Sequence, residues 1–287
     1  VGKWQYLIAG AGYSGQRILD TLPPVAATGL RRHEDEQPLH SIIAADLDQP
    51  IAPLPAVDCV IYTVPPAALP DPRLQHFLDA LSNVPRRFVY FSTSGVYGDT
   101  GGERVSEDDP VAPKTDRAQR RVAAEAQLQS WCSEHNSELV VLRVPGIYGP
   151  GRLGLERLQR GEPILREEDA GPGNRIHVDD LVNCALAATD PARPAGVYNV
   201  GDGDHRSSSW FASTVATLAG LDIPEAITMA EASETWGERR LSFLRESRRL
   251  DLRRMYDVLR ICPRYPDATE GIRASLRAGQ RTATVDA

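Results

Sequence analysis

The stretch Lys3-Trp4-Gln5-Tyr6-Leu7-Ile8-Ala9-Gly10-Ala11-Gly12-Tyr13-Ser14-Gly15 decides the fold. Its first seven residues read as a buried strand, and G-x-G-x-x-G follows at once, with the helical pattern Tyr13 to Leu22 behind it. Gly10 permits a tight strand-to-helix turn. Gly12 lets backbone N–H groups approach a pyrophosphate with no Cβ in the way, and Gly15 lets helix and strand pack closely. The helix start at Tyr13 and Ser14 turns unpaired donors and a positive dipole end toward the phosphates. Three glycines can also simply make a turn, but strand, motif and helix in this order favour dinucleotide binding.

Downstream, strand-like runs recur near Val25 to Leu30, Ser41 to Ala45, Val57 to Val64, Arg87 to Ser92, Glu138 to Val144 and Val197 to Val200. Helical stretches fall between them, near Arg73 to Leu81, Arg117 to His135 and Asp179 to Ala188, with Asp179 and Asp180 suited to a first turn or N-cap. This alternation predicts a doubly wound α/β fold with a parallel sheet covered on both faces. Residues 1–150 and 176–203 are the expected dinucleotide-binding domain, and residues 151–175 and 204–287 a smaller substrate-binding portion over the carboxyl edge of the sheet. The Arg-rich stretch Arg239 to Arg254 reads as a solvated helix face.

Composition is compatible with this. The chain has 287 residues and a net charge of −7, from 32 basic and 39 acidic side chains with no long basic run, which argues against nucleic acid as a partner. Cys59, Cys132, Cys184 and Cys262 lack C-x-x-C spacing, and three of them sit in apolar stretches, as buried free thiols do in a reducing cytoplasm. No apolar run approaches a membrane span, and the first strand is expected to begin without a signal peptide. No metal site is expected.

Ordered motifs carry a family resemblance. After the glycine loop come Ala45-Asp46-Leu47, Phe91-Ser92-Thr93-Ser94-Gly95-Val96-Tyr97-Gly98, Leu142-Arg143-Val144-Pro145-Gly146-Ile147-Tyr148-Gly149-Pro150-Gly151, Arg175-Ile176-His177-Val178-Asp179-Asp180 and Val197-Tyr198-Asn199-Val200. In this order they resemble an extended or atypical short-chain dehydrogenase/reductase of the NAD-dependent epimerase/dehydratase family. The resemblance implies that Asp46 contacts adenine, that Thr63 and Val64 line the nicotinamide-ribose side, and that Pro145 and Ile147 border the nicotinamide. Asp46 as a turn residue and the other four as strand-end packing are the plain alternatives. Thr93 matches the catalytic serine or threonine that orients the substrate oxygen, with Ser94 beside it on the substrate side; such a hydroxyl after a strand also serves as a turn or helix cap.

The family's Tyr-x-x-x-Lys pair is missing. With Glu125 as the family's usual glutamate, the tyrosine position holds Arg117 and the lysine position Arg121. Arginine cannot shuttle a proton near neutral pH, although Arg121 can still hold the ribose. Tyr148 is carried as a second catalytic candidate. Tyr97 and His177 also have usable chemistry, although packing or anchoring is the ordinary role of all three.

For the cofactor, the position about twenty residues past the glycine motif, where an acid would select NAD, holds Arg31 and Arg32, which favours NADP. The alternative is a solubilising pair ahead of Glu34-Asp35-Glu36. The resemblance suggests a small-molecule substrate such as a nucleotide sugar, with Arg152 and Arg175 as cations for its diphosphate, and it allows a homodimer. Two functions remain open: an NAD(P)-dependent reductase, epimerase or dehydratase, or a catalytically silent NADP-binding sensor or regulator.

Overall fold

Seven short strands pair into one parallel sheet whose central members bury both of their faces, while the edge strand Ser41–Ala44 does not. They are β1 (Tyr6–Ala9), β2 (Ala27–Arg31), β3 (Ser41–Ala44), β4 (Cys59–Tyr62), β5 (Arg87–Thr93), β6 (Glu138–Val144) and β7 (Gly196–Asn199), in the order β7-β6-β5-β4-β1-β2-β3. This is a computed structural model, and it describes residues 4–33, 39–244 and 246–285. Tyr6 stands opposite Ala27 on one side and Cys59 on the other, so the chain reverses its direction of winding at β1, where open α/β sheets bind ligands.

The period of two along each strand divides the core. Leu7 and Ala9 of β1 pack with the layer that contains Leu74, Phe77 and Leu128, while Ile8 packs with Ile18, Leu19 and Leu181. The first layer belongs to α2 (Pro72–Asp79) and α3 (Asp116–His135), and the second to α1 (Tyr13–Thr21) and α4 (Val178–Thr189). Local chemistry sets the helix ends. Asp71 accepts from Arg73 N ahead of Pro72, Thr115 caps α3 through Ala118 N, and Asn136 closes α3 in the left-handed conformation.

The elements fall where the sequence places them, with trimmed ends. β1 begins at Tyr6, Lys3 lying outside the described residues, and β2 begins at Ala27 because Pro23 and Ala26 close a turn that leaves Val25 exposed. Val57 is held by Asn83 rather than by a strand, which shortens β4. Asp179 and Asp180 lie in the first turn of α4, as expected, but neither caps it. His177 does so, its Nδ1 accepting from Asp179 N, while the buried Asp180 carboxylate accepts from the N–H groups of Arg264 and Tyr265 and ties the distal segment to the helix.

A smaller layer over the carboxyl edge contains α5 (Ser208–Ala219), α6 (Ala268–Val285) and the short strand pair Ile164–Leu165 with Ala226–Ile227. Its separation from the sheet is incomplete. Leu250, Leu252, Met255 and Leu259 pack into the core layer of α1 and α4, and Arg249–Leu250 pairs with Arg104–Val105. The Arg-rich stretch is therefore not a solvated helix face. Arg248 reaches the Gly98 carbonyl, Arg249 the Gly102 carbonyl and Arg254 the Asp108 carboxylate, fastening the cap to the sheet, and Arg245 lies outside the described residues.

Candidate functional site

Gly10 sits at φ +91°, and a Cβ there would stand 2.5 Å from Thr63 Oγ1. A Cβ on Gly15 would collide with the Gly10 carbonyl oxygen, so this pair brings the loop and α1 together. Gly12 differs: an added Cβ would meet nothing nearer than 4.0 Å, so its missing side chain leaves an open cradle. No side chain caps α1 and no acid occupies its first turn, which leaves the N-terminal donors for an anion. Thr63 braces the loop by donating to the Gly10 carbonyl at 2.8 Å.

Above this loop lies a cleft of ≈ 950 Å³. One end is walled by Arg31, Arg32 and Asp46, the middle by Tyr13, Ser14, Thr63 and Val64, and the other end by Thr93, Arg121, Pro145 and Ile147. The cradle, the uncapped helix and the length of this cleft fit a nicotinamide dinucleotide. Arg32 is not turned solely to the ligand: it donates to Asp46 at 3.2 Å and to Asp48 at 2.8 Å. Arg73 also grips Asp48, and its hydrogen bond holds that carboxyl below the ordinary range.

A second pocket of ≈ 390 Å³ opens from the Thr93 end, lined by Ser94, Tyr148, Asn174, Glu246 and Arg248 among others. The cleft and the pocket share Thr93, Arg117, Pro145, Ile147 and Arg152. Thr93 has both of its suggested functions within reach: its Oγ1 accepts from Gly95 N at 3.2 Å, capping the 3-10 turn Ser94–Tyr97, and its side chain lies where cleft and pocket meet. Arg117 stands at that junction, one turn before Arg121 on α3. Arg121 donates to Tyr90 Oη at 3.2 Å and to the Phe91 carbonyl, so its charge is pinned against β5.

Other candidates have structural duties. Tyr97 donates to Asn199 and accepts from Arg143, which also binds Glu125 at 3.0 Å, and Ser92 of β5 donates to the same Glu125; this buried network joins α3, β5, β6, β7 and the 3-10 turn. His177 is buried, bonded to Ser275 and Asp179 N, and burial depresses its pKa. Tyr148 is 3% exposed, edge-on to His177 and Phe211, with its hydroxyl against Gly271 and without a hydrogen-bond partner among the described residues. Burial drives its phenol far above the ordinary value, which argues against the acid/base role considered from sequence.

Arg175 corrects a second expectation. It lines the pocket, but its guanidinium is buried and donates to the carbonyls of Arg206 and Ser207, with Asp204 at 3.4 Å. Those bonds spend it on the loop after β7, leaving little for a diphosphate. Arg152 is exposed, 4.0 Å over the Tyr13 ring, and Tyr13 Oη donates to the Pro150 carbonyl, so the glycine loop and the cap loop touch directly. Sequence reasoning missed Glu246 and Arg248, whose only signal was a place in a charged run. Among the described residues no group of His, Cys, Asp or Glu is arranged to hold a metal ion, and no helix is long and apolar enough to cross a membrane.

The strand order and the glycine loop define a doubly wound α/β fold with a loop of the dinucleotide-binding type. Residues 74–201 match the model of the NAD dependent epimerase/dehydratase family. The chain is 26% identical over 123 residues to dTDP-D-glucose 4,6-dehydratase of Homo sapiens, covering 40% of this chain and 35% of that protein. It is 30% identical over 153 residues to UDP-glucose 4-epimerase of Mycolicibacterium smegmatis, covering 49% of each. The chain thus spans less than half the length of these curated relatives. Among solved structures, a functionally unknown conserved protein from Silicibacter pomeroyi superposes with TM-score 0.83 at 27% identity over 96% of this chain and 99% of that one. MoeE5, solved with UDP-glucose and NAD, superposes with TM-score 0.76 at 22% identity over 97% and 99%, a likeness of fold.

Proposed function

We propose that this chain is a nicotinamide-dinucleotide-dependent oxidoreductase of the epimerase/dehydratase kind, acting at a hydroxyl or carbonyl carbon of a sugar-like substrate without the tyrosine-lysine pair. The observation that carries this is the junction, where one set of residues walls both the dinucleotide cleft and a substrate-sized pocket. A bound nicotinamide would donate or accept the hydride. Gly12 and the start of α1 hold the pyrophosphate, and Arg121, fixed on β5, presents its charge to the ribose side. Pro145 and Ile147 form an apolar wall beside the reacting carbon.

Thr93 holds the substrate oxygen through its hydroxyl, whose lone pair already accepts from Gly95 N and whose proton is available to donate. Arg117 stabilises negative charge as it develops on that oxygen but keeps its own proton, so the proton is exchanged with water. The names of the relatives suggest a nucleotide sugar; Arg152 is then the cation for its diphosphate, since Arg175 is spent. Arginine at both pair positions also favours a second reading, a silent dinucleotide-binding regulator. The discriminating experiment is Thr93→Ala. It should lower turnover by roughly ten- to a thousandfold with dinucleotide affinity unchanged; unchanged turnover would remove Thr93 from the site.

A further inference from the structure

We propose that Glu246 is a specificity-determining residue that accepts hydrogen bonds from substrate hydroxyls, so that this end of the pocket selects an uncharged polyol group. The proposal rests on the reading of that pocket as the substrate site. Glu246 has an 8% exposed side chain, and its Oε2 accepts from Arg248 Nη2 at 2.5 Å. Its Oε1 is buried in the pocket wall with no hydrogen-bond partner among the described residues. A buried carboxylate oxygen left without a donor is costly, and in a pocket wall the missing donor is one that a ligand supplies.

The arrangement is rigid. Arg248 is itself buried and donates from Nε to the Gly98 carbonyl at 2.7 Å, so the pair is locked to the loop that follows Thr93 and the 3-10 turn. Asn174, also in the wall, is held by the same segment: its Nδ2 donates to the Arg248 carbonyl and its Oδ1 accepts from Leu250 N. Glu246 Oε1 therefore remains as a preset acceptor.

The charge of the ligand group follows from the neighbours. Glu246 is already neutralised by Arg248, so an ammonium group would gain little from it and would face Arg117, Arg152 and Arg175 in the same wall. A carboxylate or phosphate placed here would meet the Glu246 oxygen directly. An O–H group is the donor that meets neither penalty, and its bond to a carboxylate is charge-assisted.

The test uses the full chain with D-glucose and fully O-methylated glucose as probes, read by saturation-transfer NMR with and without saturating NADP. Wild type should bind D-glucose and not the methylated sugar. Glu246→Gln should weaken D-glucose binding by about three- to tenfold, the difference between a charged and a neutral acceptor, and Glu246→Ala by more than about tenfold. Thermal melting and NADP affinity should stay near wild type in Glu246→Gln, which keeps an oxygen for Arg248; if Glu246→Ala does not fold, that variant carries the test alone. Absence of D-glucose binding, equal binding of the methylated sugar, or unchanged D-glucose affinity in the variants would overturn the proposal. Failure of NADP to bind would overturn the dinucleotide reading instead, since the glucose arm is also recorded without it.

Discussion

Valine at Gly12 separates a phosphate cradle from a turn. The substitution adds a branched side chain where the Cβ meets no protein atom within 4.0 Å, so the space it enters is the space proposed for the pyrophosphate. The fold should tolerate it, since a poor N-cap residue costs about 1 kcal/mol. Binding should not. Displacing the phosphates from two first-turn N–H groups removes two charge-assisted bonds of roughly 1.5–3 kcal/mol each, a loss of at least about a hundredfold in Kd. Calorimetric titration with NADP and NAD, alongside urea unfolding, reads both quantities. Gly15→Ala is the contrasting variant: its Cβ collides with the Gly10 carbonyl, so it should lose stability and affinity together. A folded Gly12→Val protein with wild-type affinity would refute the cradle and reduce the glycine motif to a turn.

The remaining expectations concern selectivity and pH. NADP should bind more tightly than NAD, and Arg31→Ala with Arg32→Ala should erase the preference; because Arg32 is shared with Asp46 and Asp48, the preference should be modest, about tenfold or less. Equal or tighter binding of NAD to wild type would reject the 2′-phosphate assignment. Asp202 is 2% exposed with an unpartnered Oδ2, and burial raises its carboxyl from 3.8 to about 8. The folded state then retains a proton that the unfolded state loses, so this group lowers stability progressively from about pH 4 to pH 8. Asp202→Asn mimics the protonated form and should flatten the fall in melting temperature over that window; an unaltered slope would show that Asp202 does not carry it.

Much of the sheet was legible because the central parallel strands bury both faces and read as apolar runs, as Cys59 to Tyr62 and Leu139 to Leu142 do. The glycine loop was legible for a related reason: a turn, a close contact and an open cradle each demand a missing Cβ in a fixed order. Charged side chains were not legible in the same way. Arg175 looks like a phosphate ligand in sequence, yet its partners are carbonyls at Arg206 and Ser207, brought to it only by the return of the chain after β7. Asp179 and Asp180 carry the composition of a cap, but His177 reaches the free N–H first and Asp180 is drawn to the distal loop. Glu246 and Arg248 lie in an arginine-rich run whose charge pattern suggests solvent, and only tertiary packing turns them into the pocket wall.

Direct observation of hydride transfer tests the central claim most sharply. Protein saturated with oxidised NADP should be mixed with a panel of sugars and nucleotide sugars while the absorbance of the reduced nicotinamide is followed, for wild type and for Arg117→Tyr with Arg121→Lys. An enzyme working without the tyrosine-lysine pair should generate reduced nicotinamide as wild type with at least one of these substrates, as a transient seen in rapid mixing where the hydride is returned to the sugar, and Thr93→Ala should suppress the signal. Tight NADP binding with no reduction in wild type, joined to new activity in the double variant, would contradict the account and identify a silent dinucleotide-binding protein.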